Sequence, residues 1–238
     1  MVLLENNKFL LSVVVTVYNE KETILAAIKQ VQTLDLNKEI IVIDNCSTDG
    51  TQDLLREYCD NSIRLVLQNK NMGYGQSVIT GCDMAQGKYI YIHNSDLEYD
   101  PSYVTKMIAV AEEENLDAVF GSRLTDRKTS ILKVIYQRHY FLAAILSTFM
   151  INIFYNKNLT DIIGSKFYKV SSLKSLYPFD DKTITFDFEL VSKLCKRGYR
   201  IKEIPVSYAP RTAQQGKKIK WFHSITALLA LLRVKLMN

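Results

Sequence analysis

At 238 residues the chain can bury a substantial core as one large domain, and 47% hydrophobic with 23% charged residues excludes a disordered or collagen-like polymer. The cysteines Cys46, Cys59, Cys82 and Cys195 are scattered with no C-x-x-C pair, which argues against a zinc centre or a disulfide framework and for a reducing compartment. The net charge of +5 hides an asymmetry: residues 1–120 carry 9 Lys and Arg against 18 Asp and Glu, a net of −9, whereas residues 121–238 carry 21 against 7, a net of +14.

A basic second half calls for an anionic partner, either a membrane surface or a sugar-linked diphosphate. Nucleic acid is disfavoured because the basic residues come with no recognised binding module. The N-terminus runs almost directly into a strand pattern and lacks a basic-apolar-small leader signal.

The β-branched run Leu11–Val17 predicts a strand buried on both faces. Asn19 stands where it would cap a helix running through Glu22, Ile24, Leu25, Ile28 and Val31. Glu39–Ile43 predicts a second strand, whose exit Asp44–Gly50 is a turn feeding a helix from about Thr51 to Tyr58. Arg64–Leu67 reads as a third strand and Gly75–Ala85 as a helix. Tyr89–Ile92 is a fourth, buried strand, and it leads into Asn94-Ser95-Asp96-Leu97-Glu98. Pro101 sits near the start of a helix reaching about Asn115, and Ala118–Phe120 is a fifth strand. Repeated strand–helix units of this size imply a mainly parallel α/β sheet with helices on both faces. Ligands of such sheets bind beyond the C-terminal strand ends, where all these polar turns fall.

The second half reads differently. Ile131–Tyr155 and Ile225–Leu236 predict amphipathic helices that suit core packing, an interfacial membrane contact or a homo-oligomer contact. Neither has the roughly 20 uninterrupted apolar residues needed to span a bilayer. A further helix begins near Phe186 and runs to Arg197. With no repeat or linker, residues 1–238 are read as a single domain.

Chemistry concentrates in the strand-end turns. Asp96 and Glu98, two residues apart just past a buried strand, suit a hard divalent cation such as magnesium or manganese. Such ions take one or two carboxylates plus substrate phosphates, so the box implies a nucleoside diphosphate. Thr16-Val17-Tyr18-Asn19-Glu20 adds an aromatic ring and a carboxylate, and Asp44-Asn45 adds an acceptor and a donor suited to a base edge.

These blocks, in this order, resemble family 2 glycosyltransferases of the GT-A fold, and within them the dolichol-phosphate mannosyltransferase-like branch. The resemblance covers nearly the whole chain. It rests on Thr16–Glu20, Ile43–Thr51, Asn71-Met72-Gly73, Asn94–Glu98, Gly121-Ser122-Arg123, Asp161 with Lys166, Phe186-Asp187-Phe188-Glu189, and Arg211 with Gly216-Lys217-Lys218. It implies a nucleotide-sugar-binding half over residues 1–123 and an acceptor-binding half over residues 124–238. Thr16, Tyr18, Glu20, Asp44, Asn45, Asn94 and Ser95 would hold the donor nucleotide. Asp96, with Glu98 and Asn94, would hold magnesium or manganese on the diphosphate. Arg123, Lys166, Arg211 and Lys217 would contact donor or acceptor phosphates, with Asp96, Arg123 and Glu189 as the catalytic set.

The implied reaction is inverting transfer of a sugar from a nucleoside-diphosphate sugar to a polyprenyl phosphate, by a protein peripheral to the cytoplasmic face of a membrane. A sugar hydroxyl of a cell-surface glycan is the rival acceptor, for which Asp187 or Glu189 would serve as general base. Two departures from the family pattern stand out. Asn45 and Asn94 occupy positions that the family usually fills with acids, and a negative charge is lost at each. They motivate a third reading, a nucleotide-sugar-binding protein weakened in catalysis.

Overall fold

The computed structural model describes residues 7–124, 140–180, 182–183, 185–211, 231–233 and 235–236. In chain order the elements are β1 (Phe9–Val17), α1 (Ile24–Gln32), β2 (Lys38–Asp44), α2 (Thr51–Tyr58), β3 (Ile63–Leu67), α3 (Tyr74–Met84) and β4 (Gly87–Asn94). There follow α4 (Tyr103–Glu114), β5 (Ala118–Ser122), α5 (Tyr140–Tyr155), β6 (Ser165–Lys169), α6 (Val170–Lys174), α7 (Phe186–Lys196) and β7 (Ile201–Pro205).

The strands form one seven-stranded sheet in the order β3-β2-β1-β4-β6-β5-β7. Every neighbouring pair is parallel except the two made by β6, which runs antiparallel between β4 and β5. The mainly parallel α/β sheet expected from the sequence is present, and β1 is buried on both faces from Leu11 to Val17. Because strand side chains alternate, the sheet supplies two cores. Val14, Ile41, Ile43, Ile90, Ile92, Phe120 and Tyr168 face α3, α5, α6 and α7. Val13, Val15, Ile40, Val42, Tyr89, Tyr91 and Phe167 face α1, α2 and α4.

Two expectations are corrected. Asn19 does not cap α1, which starts at Ile24 after Thr23; its side-chain oxygen accepts the Thr48 amide at 2.8 Å instead. The helix expected within Ile131–Tyr155 is observed as α5, but its inward face mixes polar groups with the apolar Ala144 and Ile151. Ser147 and Thr148 are buried, while Leu146, Phe149 and Ile153 are exposed. The inward polar groups have work to do: Thr148 accepts the Ile162 amide, and Asn152 both donates to the Leu159 carbonyl and accepts the Leu159 amide. Residues 131–139 and most of the second predicted helix, Ile225–Leu236, lie outside the described residues; 231–233 and 235–236 are helical, and Leu231 is buried in the core beside α7.

Candidate active site

The exits of β1, β2 and β4 lie side by side because the register sets Val17 opposite Asp44 and Thr16 opposite Asn94. The turns after them continue the ladder, with Asn45 N–H donating to the Val17 carbonyl and Ser95 N–H to the Thr16 carbonyl. Side chains then zip the turns together: Ser47 accepts the Asn19 amide, Thr51 accepts the Glu20 amide, and Thr16 donates to Asn94 Oδ1 at 3.1 Å. Each turn also holds one non-glycine residue at positive φ, namely Asn19, Cys46 and Leu97. Such conformations cost energy and collect at ligand sites.

Asp44 is fully buried, and its Oδ2 accepts the Ser47 amide at 2.9 Å and the Gln52 side chain at 2.6 Å. Its Oδ1 is equally buried and has no partner among the described residues. A buried acceptor of this kind is costly unless a ligand N–H or O–H reaches it. Asn45, expected to offer a donor to the base, is spent within the protein. Its Oδ1 accepts the Met72 amide at 2.8 Å and its Nδ2 donates to Asn71 at 3.0 Å. An aspartate could not make the second bond, because an ionised carboxylate only accepts. Asn45 thereby anchors the loop to Gly73, where φ is 90° and an added Cβ would lie 2.2 Å from the Lys182 carbonyl oxygen.

Beyond β4, three carboxylates gather around one guanidinium. Glu20 receives both Arg211 Nη atoms at 2.7 and 3.0 Å, and Arg211 Nη2 lies 3.9 Å from Asp96. Glu98 accepts the Tyr208 hydroxyl and the Arg211 backbone amide, each at 2.9 Å. Glu98 is therefore tied to the 208–211 segment, and Glu20 clamps Arg211 where the resemblance implied contact with the donor nucleotide. Asp96 is the under-compensated member. Burial first, then Glu98 and Glu20, push its pKa up to about 6, against the opposing pull of the Glu98 amide and Arg211. Among the described residues no group of three or more His, Cys, Asp or Glu forms a ready metal cage. The donor set nonetheless fits a hard divalent cation held chiefly by Asp96, with substrate phosphate oxygens filling the remaining positions.

The predicted phosphate contacts fare unevenly. Arg123 donates through Nε and Nη2 to the fully buried Asp161 at 2.6 and 2.8 Å, and its face covers the Tyr208 ring at 5.1 Å. It ties the end of β5 to the loop before β6 and to the 208–211 segment. Lys166 is buried on β6 and pairs with Asp187 at 2.7 Å. Glu189, expected to be catalytic, is engaged within the protein. It is 3% exposed, and its carboxylate accepts the Asp180 amide and pairs with Lys193. Residues i and i+2 on a helix point about 200° apart, so of this pair only Asp187 lines the cleft. Tyr18 is half-buried and Ser95 buried in their turns. Lys217 lies outside the described residues.

Sequence reasoning missed Tyr208 and the cleft residues Tyr74, His93 and Tyr99. A polar His93 continuing the buried run Tyr89–Ile92 was the available signal for one of them.

The chain is 31% identical over 126 residues to an undecaprenyl-phosphate 4-deoxy-4-formamido-L-arabinose transferase of Proteus mirabilis, covering 50% of this chain and 38% of that protein. An uncharacterized protein of Methanocaldococcus jannaschii is 27% identical over 205 residues, covering 82% of this chain and 86% of its own length. The fold matches glucosyl-3-phosphoglycerate synthase of Mycobacterium tuberculosis, solved with manganese, uridine diphosphate and glucosyl-3-phosphoglycerate, at a TM-score of 0.67 and 18% identity, covering 95% of this chain and 80% of that one. The architecture is therefore the GT-A fold that the resemblance implied. Residues 12–176, more than half of the chain, match the sequence model of glycosyl transferase family 2, and the protein belongs to that family.

Proposed function

We propose that this protein transfers a sugar, with inversion, from a nucleoside-diphosphate sugar to a polyprenyl phosphate. The carrying observation is the placing of Asp44, whose buried Oδ1 has no partner among the described residues, and Asp96, with its under-compensated carboxylate, at the ends of β2 and β4, which flank β1. The first suits a base N–H. The second suits a cation on the diphosphate, where magnesium or manganese would neutralise charge developing on the leaving group. Arg211 supplies a fixed positive group beside that position, and electrostatic stabilisation of this kind is most effective in a partly dehydrated cleft.

A polyprenyl phosphate is already ionised at neutral pH, so it needs positioning more than deprotonation. The Proteus mirabilis relative is named for transfer to undecaprenyl phosphate, which supports a lipid-phosphate acceptor here. Contact with the membrane face follows in this reading from the exposed Leu146, Phe149 and Ile153 of α5 and Leu232 and Leu236 of the C-terminal piece. No described helix is long and apolar enough to cross a membrane. A second reading, transfer to a glycan hydroxyl, draws on Asp187 in the cleft as a base.

A radiolabelled donor incubated with polyprenyl phosphate and manganese separates the readings. Label extracted into organic solvent and released by mild acid supports the lipid phosphate, label on a sugar hydroxyl supports the second reading, and binding without turnover on either acceptor supports a protein weakened in catalysis.

A further inference from the structure

Beneath the acidic box lies a pocket lined by Tyr74, His93, Asn94, Tyr99, Lys166 and Asp187. Its polar floor is fixed by the sheet: β6 sets Lys166 level with Ile92 of β4 and Phe120 of β5, and the first turn of α7 brings Asp187 against it. The two side chains are 6% and 16% exposed. Taking such a pair out of water is expensive, and apolar residues of similar volume often serve stability as well or better. His93 also lines the pocket; its ring stacks on Tyr91, and its buried Nε2 has no partner among the described residues.

We propose that this pocket seats the transferred sugar, and that Lys166 and Asp187 select a neutral hexose over a glycuronate. The inference rests on the donor reading above and names the sugar class for it. A sugar hydroxyl both donates and accepts, so one hydroxyl can give its proton to Asp187 while a neighbour accepts from Lys166. The ammonium and carboxylate cancel, leaving the floor with no net charge for an ionised substituent. Among the described lining residues Lys166 is the one Lys or Arg side chain. A sugar carboxylate would have to displace Asp187 from Lys166.

The test is a binding panel with manganese: UDP, UDP-glucose and UDP-glucuronate, and the guanosine series GDP, GDP-mannose and GDP-mannuronate. The expected result is that one nucleoside diphosphate binds, that its neutral sugar adds affinity, and that its glycuronate binds about tenfold or more weakly than the neutral form. Lys166→Met and Asp187→Asn should each erase the sugar's added affinity and leave the nucleoside diphosphate within about twofold of wild type. The double variant Lys166→Met/Asp187→Leu removes both charges together and, with an unchanged melting temperature, shows that the loss is not unfolding. A pair that merely holds the fold would not move the ratio of sugar-nucleotide to nucleotide affinity. Equal binding of glycuronate and neutral sugar, or variants that keep the wild-type ratio, overturns this inference alone. Failure of every nucleoside diphosphate to bind overturns the donor reading and this inference with it.

Discussion

Asp96 keeps its carboxyl near half-protonation at about pH 6 because burial and the neighbouring acids outweigh a guanidinium 3.9 Å away. A cation bound there relieves that imbalance, so Asp96→Asn should lower donor turnover by about 100-fold or more, read as nucleoside diphosphate release. Turnover at the wild-type rate would remove Asp96 from the mechanism. Asn94→Asp adds a second negative charge beside it and should tighten manganese binding, measured by calorimetry. His93 governs a different property. Burial lowers its pKa from 6.5 to about 4, Asp100 offsetting little of that. Below pH 6.5 the unfolded chain takes up a proton that the folded chain refuses, so this contribution is complete above pH 6.5 and is lost as pH falls toward 4. Between pH 7 and pH 5 it amounts to about 2 kcal/mol. In His93→Phe, urea unfolding should lose correspondingly less stability over that interval, and an identical loss in both proteins would contradict the assignment.

Among the elements, α5 buries polar groups beside the apolar Ala144 and Ile151. Ser147, Thr148 and Asn152 turn toward the protein to bond or pack at the 159–162 loop, and an apolar row of Leu146, Phe149 and Ile153 is left outside. Phe149→Glu with Ile153→Lys should abolish flotation with anionic lipid vesicles and leave the melting temperature almost unchanged, since both residues are about 60% exposed. Unaltered flotation would assign this row to some other contact. At the entry to β6, a Cβ on Gly164 would lie 1.9 Å from the Gly121 carbonyl oxygen. Gly164→Ala should therefore cost about 1–3 kcal/mol in denaturant unfolding. The first-half elements were legible because β1 to β5 carry apolar runs long enough to name themselves. β6 (Ser-Lys-Phe-Tyr-Lys) and β7 (Ile-Lys-Glu-Ile-Pro) were not read, because their charges look like loop. Lys166 is tolerable inside a sheet only through Asp187, a partner distant in sequence and invisible to periodicity. The candidate site shows the same limit. The positions of Asp44 and Asp96 at strand ends could be read from the sequence, whereas the engagement of Arg123 by Asp161 and of Glu98 by Tyr208 depends on tertiary pairing.

At the scale of the molecule, the acidic and basic halves of the chain are woven into one sheet. Arg211 reaches back to Glu20 and Lys202 to Glu114, so part of the positive surplus of the second half is neutralised internally. The interleaving is tightest at β6, which stands between β4 and β5 although it follows both in the chain. β5 pairs with β6 and β7 alone, so everything that attaches it to the sheet is translated after it. On the ribosome, β1 to β4 can assemble first, but they present an uncovered β4 edge until Ser165–Lys169 emerges, and an open edge of this kind invites wrong pairing. A fragment ending at Arg123 should accordingly melt without cooperativity and aggregate, and co-expression with residues 124–238 should restore a soluble complex. A sharp cooperative melt of the isolated fragment would show that β4 needs no cover. For a nascent chain, one strand thus does two jobs at once: β6 covers the open edge of β4 and carries Lys166 into the cleft.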